Sequence, residues 1–213
     1  MDKISQDLPD IVERGADAEK RAGILDAAEA VFLEQGFSGA SMAAIAARGG
    51  CSKGTLYNYF ESKDELFLAC VRRACEEFQS GMAALTSRSG DVRQVLSELG
   101  RHYLAFVTSE DIVRKFRMIV AEAERSPQLA RSFYLNGQAR GTGRLVGYLQ
   151  RAMDEGLLRQ ADPERAAHHF FGLCNNRYTA ARLCNVRPAP NQAEIELDVS
   201  EAVRVFMAAY GPE

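Results

Sequence analysis

The stretch Gly49-Gly50-Cys51-Ser52-Lys53-Gly54-Thr55-Leu56-Tyr57-Asn58-Tyr59-Phe60 leaves this chain few folds to choose from. Paired glycines make a tight turn, Ser52 is a helix cap, and the segment that follows is a very short helix. Upstream, Ser41 caps the Ala-rich run from Met42 to Arg48. Downstream, Ser62-Lys63-Asp64-Glu65 is a capping box that opens another helix. Helix, short turn, helix is a helix-turn-helix unit, and its second helix reads the major groove. Such a helix presents its N-terminus, keeps small residues where the backbone comes close, and holds phosphates with hydroxyls and a cation.

The residue types divide the work. Ile45, Ala46, Leu56 and Phe60 are core positions that fix the two helices against each other. Ser52 caps the reading helix, and Gly54 lets the backbone approach DNA closely. Lys53 suits a guanine edge and the Thr55 methyl suits a thymine. Asn58 suits either base or phosphate, while Ser41, with Met42 and Ala43 behind it, faces the DNA backbone. The plainer alternative makes Tyr57 and Tyr59 ordinary amphipathic residues and Lys53 a solvated charge. Cys51, in the turn, is either a small packing residue or a thiol whose oxidation would gate DNA binding.

The remainder reads as helix throughout, so the fold class is all-α, with two domains at 20–80 and 81–213. Ile24, Leu25, Ala28, Val31 and Phe32 follow helical spacing, and Gly36 is expected to close that helix as a left-handed cap. A longer helix runs from Leu66 to near Gly81, and the polar break before Asp91 marks the domain boundary. Helices follow at Val92 to Val107, Asp111 to Ala123, Pro127 to Asn136 and Thr142 to Glu155. Asp162-Pro163 starts another that is expected to run to about Cys184, and a last one follows the Pro-rich connector Val186 to Asn191. Those final two helices are apolar on more than one face, which calls for a second partner surface. That surface is either a buried core within one chain or the contact of a homodimer, and for a homodimer Phe171, Tyr178, Val199, Val203, Phe206 and Tyr210 are the candidates.

The run from Ile24-Leu25-Asp26-Ala27-Ala28 through Gly36-Phe37 and the reading helix to Ser62-Lys63-Asp64-Glu65-Leu66 resembles the DNA-binding domain of TetR/AcrR transcriptional regulators. From Phe116 to about Leu183 the chain resembles, more loosely, the C-terminal domain of AefR-like members, chiefly at Ala121 to Leu129 and Asp162-Pro163-Glu164. The resemblance implies that Tyr57, Tyr59 and Lys63 hold phosphates. It also implies a homodimer joined through its last two helices, a palindromic double-stranded operator, repression, and release by a small-molecule effector. A basic N-terminal arm belongs to that pattern, and here the arm is acidic.

Charge sets a limit on any such reading. Net charge is −3, and residues 1–64 hold 7 Lys or Arg against 11 Asp or Glu. Arg48, Lys53, Lys63 and Arg21 are therefore a small local patch rather than a global field. At 46% hydrophobic, the chain has enough apolar residues for a real core. No apolar run near the start reads as a leader, none is long enough to span a membrane, and the five cysteines fit a reducing compartment. A cytoplasmic location is the expectation. No phosphate loop or nucleophile elbow points to an enzyme, and no cofactor or metal set stands out: adjacent His168 and His169 diverge by about 100° on a helix. A helical adaptor is the rival reading. For the effector pocket, His102, Tyr103, Phe106, Phe116, Arg117, Phe133, Phe170 and Cys174 are the candidates, although Met and aromatic stripes are equally at home in plain core.

Overall fold

A computed structural model describes residues 15–86, 90–136 and 138–212. The acidic arm at 1–14 and the polar residues 87–89 lie outside the described residues. Among the described residues eleven helices follow one another: α1 (Gly15–Gly39), α2 (Met42–Arg48), α3 (Lys53–Tyr59), α4 (Lys63–Thr86), α5 (Val92–Thr108), α6 (Glu110–Glu122), α7 (Pro127–Asn136), α8 (Gln138–Asp154), α9 (Pro163–Asn175), α10 (Thr179–Leu183) and α11 (Gln192–Tyr210). No strand occurs among the described residues. The all-α, two-part architecture expected from the sequence is the one observed.

Packing divides the chain between Phe67 and Leu68, inside α4. The division falls upstream of Gly81 because Phe78 and Met82 are buried in the C-terminal core. In the N-terminal unit, Ile24, Ala28, Val31, Ile45, Leu56 and Phe60 are almost fully buried. Phe32, Phe37 and Phe67 close this core as an aromatic triangle with centroids 5.2–5.8 Å apart. Gly36 takes φ 71° and ψ 173°, a region open essentially to glycine. It breaks α1 as expected of a positive-φ residue, but with extended rather than left-handed ψ, and a short turn continues to Gly39.

In the C-terminal unit, α5, α8, α9 and α11 enclose Leu96, Leu99, Leu104, Leu145, Leu149, Phe170 and Phe206. Gly100 permits the close approach of α5 to α11, since a Cβ there would lie 2.8 Å from Cγ1 of Val199. The helix expected to run unbroken to Cys184 is two, α9 and α10. Asn175 and Asn176 are weak helix formers. The Asn175 amide donates to the Tyr103 hydroxyl at 2.6 Å, while the Tyr178 hydroxyl donates to Asp198. The chain turns between these two anchors. α11 opens on a capping box, Asn191 with Glu194.

Candidate nucleic-acid interface

The turn between α2 and α3 is fixed by backbone chemistry. The Cys51 N–H donates to the Ala46 carbonyl at 3.0 Å and the Gly50 N–H to that of Ala47 at 3.3 Å, the crossed pair of a Schellman ending. That ending needs a left-handed residue, and Gly50 supplies it at φ 61°. Ser41 caps α2 by accepting from the Ala44 N–H at 3.2 Å, and Ser52 caps α3 by accepting from that of Thr55 at 3.0 Å. Leu56 at 0% exposure and Phe60 at 2% anchor α3 to the core. Sequence and geometry agree on every one of these positioning residues.

The polar side chains then separate into two groups. Lys53, Tyr57 and Asn58 are exposed, and none has an intramolecular hydrogen bond or ion pair among the described residues. Lys53 is also the first residue of α3, where a cation opposes the helix dipole. Gly54 is exposed as well; a Cβ there would make only an ordinary contact, 3.7 Å from Ser52 Oγ. Among the described residues nothing requires a glycine at this helical position, and nothing favours a cation one residue earlier.

The second group is engaged within the unit. The Lys63 ammonium donates to the carbonyls of Phe37 at 2.7 Å and Ala40 at 2.9 Å, and it lies 4.6 Å from the Phe37 ring centroid. Expected on a phosphate, Lys63 instead ties the start of α4 to the end of α1. The Tyr59 hydroxyl donates to Asp17 at 3.2 Å, and Arg48 pairs with Glu34 at 2.6 Å. Arg21 lies over the Phe60 ring at 5.3 Å. The Thr55 hydroxyl shares a hydrogen bond with that of Ser52 at 2.9 Å. Met42 and Ala43 are half-buried in the first turn of α2, and Cys51 is half-buried in the turn itself. The local basic patch expected from sequence thus reduces, for unengaged cations in the reading helix, to Lys53.

The pocket candidates do not converge. Phe78, His102 and Phe106 stack, with centroids 5.0 and 4.4 Å from Phe78, and His102 Nε2 sits 3.1 Å from the Phe78 carbonyl. Tyr103 packs on Phe171 at 4.2 Å, and burial raises its phenol pKa. Burial likewise pushes the Cys174 thiol up to about 12, so it stays protonated. Phe170 is buried edge-on to Phe206, and Phe116 pairs with Phe133 elsewhere. Arg117 donates to the carbonyls of Leu183 and Arg182, capping α10 rather than orienting a guest. A depression of about 500 Å³, open to solvent, is lined by Gly81, Ala84, Leu85, Glu98, Arg101 and His102. Of the eight candidates it includes His102 alone.

The dimer candidates need correction too. Phe171, Tyr178, Val199, Val203, Phe206 and Tyr210 are each 8% exposed or less within one chain. Apart from Tyr178, which precedes α10, they form the stripe by which α9 and α11 pack on α5 and α8, and all six belong to this protomer's own core. The apolar residues left outside are Leu173 on α9 and Leu197 and Val205 on α11, at 39%, 62% and 39% exposure. Helical spacing places Leu197 and Val205 off the main stripe of α11.

Residues 24–70 match the tetR family of bacterial regulatory proteins, and residues 94–212 match the C-terminal domain of AefR-like transcriptional repressors. The HTH-type transcriptional activator FasR of Mycolicibacterium smegmatis is 30% identical over 181 residues, 84% of this chain and 78% of FasR. A TetR-family regulator from Mesorhizobium loti is 30% identical with a TM-score of 0.80, covering 91% of this chain and 98% of its own. The flavonoid-responsive regulator FrrA is 31% identical with a TM-score of 0.76, covering 92% and 99%. A helix-turn-helix on an all-helical body defines a DNA-binding transcriptional regulator. The chain belongs to the TetR family. No helix among the described residues is long and apolar enough to cross a membrane.

Proposed function

We propose that this protein is a homodimeric repressor that binds a palindromic operator through α3 and leaves it when a small apolar or aromatic molecule binds the C-terminal unit. The observation that carries the DNA half is the state of α3. Its Lys53, Tyr57 and Asn58 side chains are exposed and uncommitted while every neighbouring cation is engaged. Ser41, Ser52, Gly54 and Thr55 complete the surface, with Lys53 reading a base edge and Tyr57 holding a phosphate. Repression is supported by the AefR-like repressor domain matched at 94–212, and a flavonoid-responsive relative supports an aromatic effector. Dimerisation through the outward faces of α9 and α11 is supported by Leu173, Leu197 and Val205, apolar residues left uncovered on the chain. Two-fold symmetry matches a palindrome, whose half-sites lie roughly 34–36 Å apart or a multiple of that.

An effector acts only through different affinities for the free and operator-bound dimer, and that coupling is reciprocal. The test is selection of duplexes from a random library by the full chain. Recovered palindromes, bound at two chains per duplex, are expected. The same duplexes then report on a screen of aromatic and amphipathic metabolites. Failure to enrich any sequence removes the DNA reading. Enrichment followed by increased transcription from a reporter bearing the operator replaces repression with activation.

A further inference from the structure

We infer that Thr55 reads the operator with its methyl group and not its hydroxyl, so that each half-site presents a 5-methylpyrimidine, a thymine, at one fixed position. The inference rests on α3 being the reading helix. Threonine offers a base edge two different groups: a hydroxyl that pairs with most bases, and a methyl that favours the thymine methyl. Which group is on offer depends on what already holds the hydroxyl. Here it is held at 2.9 Å by the Ser52 hydroxyl, and Ser52 Oγ in turn accepts the Thr55 N–H at 3.0 Å. Residues 52 and 55 thereby close a two-bond ring at the cap of α3. Turning the Thr55 hydroxyl toward a base would open that ring and weaken the cap that positions the helix. The γ-methyl, on the other branch of Cβ, carries no such commitment, and Thr55 is only half-buried. The glycine before it narrows the gap, since Gly54 adds no side chain between the backbone and a base. Lys53 and Asn58, unengaged, supply the hydrogen bonds that Thr55 does not.

A methyl reader has a distinctive chemical signature: it responds to a methyl on the base, whichever pyrimidine bears it. The experiment uses the full chain and the operator it selects from a random library. Each thymine is replaced singly by deoxyuridine, which removes only the 5-methyl. One position per half-site should weaken binding about threefold to fivefold, the worth of one buried methyl contact. At that position, with a C·G pair installed, 5-methylcytosine should bind tighter than cytosine by a similar factor. Thr55→Val keeps the methyl and should retain both effects. Thr55→Ser keeps the hydroxyl and should lose both, with thermal melting showing that each variant is folded. The inference is overturned if Thr55→Val loses the methyl effects, or if Thr55→Ser keeps them. It is also overturned if uracil is tolerated throughout a well-selected operator, an outcome that leaves α3 as the reading helix intact. A library that enriches nothing removes both together.

Discussion

The reading helix and the short helix α10 are of similar size, yet they treat their polar groups in opposite ways. In α3 the exposed side chains of Lys53, Tyr57 and Asn58 have no hydrogen-bond or ion-pair partner among the described residues. Around α10 the arginines and the tyrosine are engaged within the chain. Arg182, 4% exposed, donates to the Thr108 carbonyl at 3.2 Å, the Arg187 carbonyl at 3.2 Å and the Glu110 carboxylate at 2.8 Å. Arg187 donates to Glu194 at 2.6 Å and lies over the Tyr178 ring at 4.5 Å. The Tyr178 hydroxyl donates to Asp198, and burial together with that carboxylate pushes its pKa up to about 12. Glu110 is held below its ordinary value by the hydrogen bonds from Arg182 and Arg114. Polar capacity satisfied inside the chain marks structure, whereas capacity left at the surface is open to water or to a partner. The two kinds of residue should fail in different assays.

The largest contrast lies in the C-terminal unit, between residues of one helix. Phe206 is fully buried against Phe170, so Phe206→Ala should cost about 3–5 kcal/mol of folding stability. Leu197, on the outward face of α11, should change chemical denaturation of the protomer by no more than about 0.5 kcal/mol when replaced by Asp. In sedimentation the order reverses: Leu197→Asp should dissociate the dimer and abolish operator binding. A dimer that survives Leu197→Asp and Val205→Asp together would remove the outward face of α11 as the interface.

Next comes a pair of cations. Arg182→Ala takes the donor from the Thr108 and Arg187 carbonyls, while exposed Glu110 keeps Arg114, and should cost about 1–3 kcal/mol in chemical denaturation. Lys53→Ala should leave denaturation unchanged and instead lower discrimination at one operator base pair by about 1–3 kcal/mol. Equal effects of the two on stability would show that Lys53 has an internal partner after all.

How much of this was legible in the sequence follows the same line. Caps, glycines and apolar spacing act over a few residues, so α2, the turn, α3 and the core of the N-terminal unit could be read directly. The Asn191–Glu194 capping box is a local signal of the same kind. Long-range polar contacts are different. Nothing in the letters says that Lys63 will find the carbonyls of Phe37 and Ala40, or Arg117 those of Arg182 and Leu183. The dimer residues failed for a related reason. Helical spacing finds a stripe, but only packing shows which of two apolar faces this protomer has already used.

Lys63 gives a smaller test. With its ammonium on two carbonyls, Lys63→Ala should lower stability by about 1–2 kcal/mol. The salt dependence of operator binding should keep its slope, because no phosphate contact is lost. A slope reduced by about one unit per half-site would return Lys63 to the phosphate role first expected from its position.

The smallest effect on stability is also the most diagnostic, because its two readouts carry opposite signs. Gly54 lies within α3, has ordinary helical φ, and faces open space apart from Ser52 Oγ at 3.7 Å. Alanine fits there without strain, restricts the unfolded chain and has the better helix propensity. Gly54→Ala should therefore stabilise the protein by about 0.5–1 kcal/mol. If the glycine exists so that the backbone can approach a groove, the added methyl stands between them, and operator affinity should fall even as melting temperature rises. Random-sequence DNA, held through phosphates at a looser distance, should be affected less. A variant that gains stability and keeps full operator affinity would show that the first turn of α3 does not approach the bases closely. The surface left uncommitted by this helix would then have to meet its partner through Tyr57 and Asn58 alone.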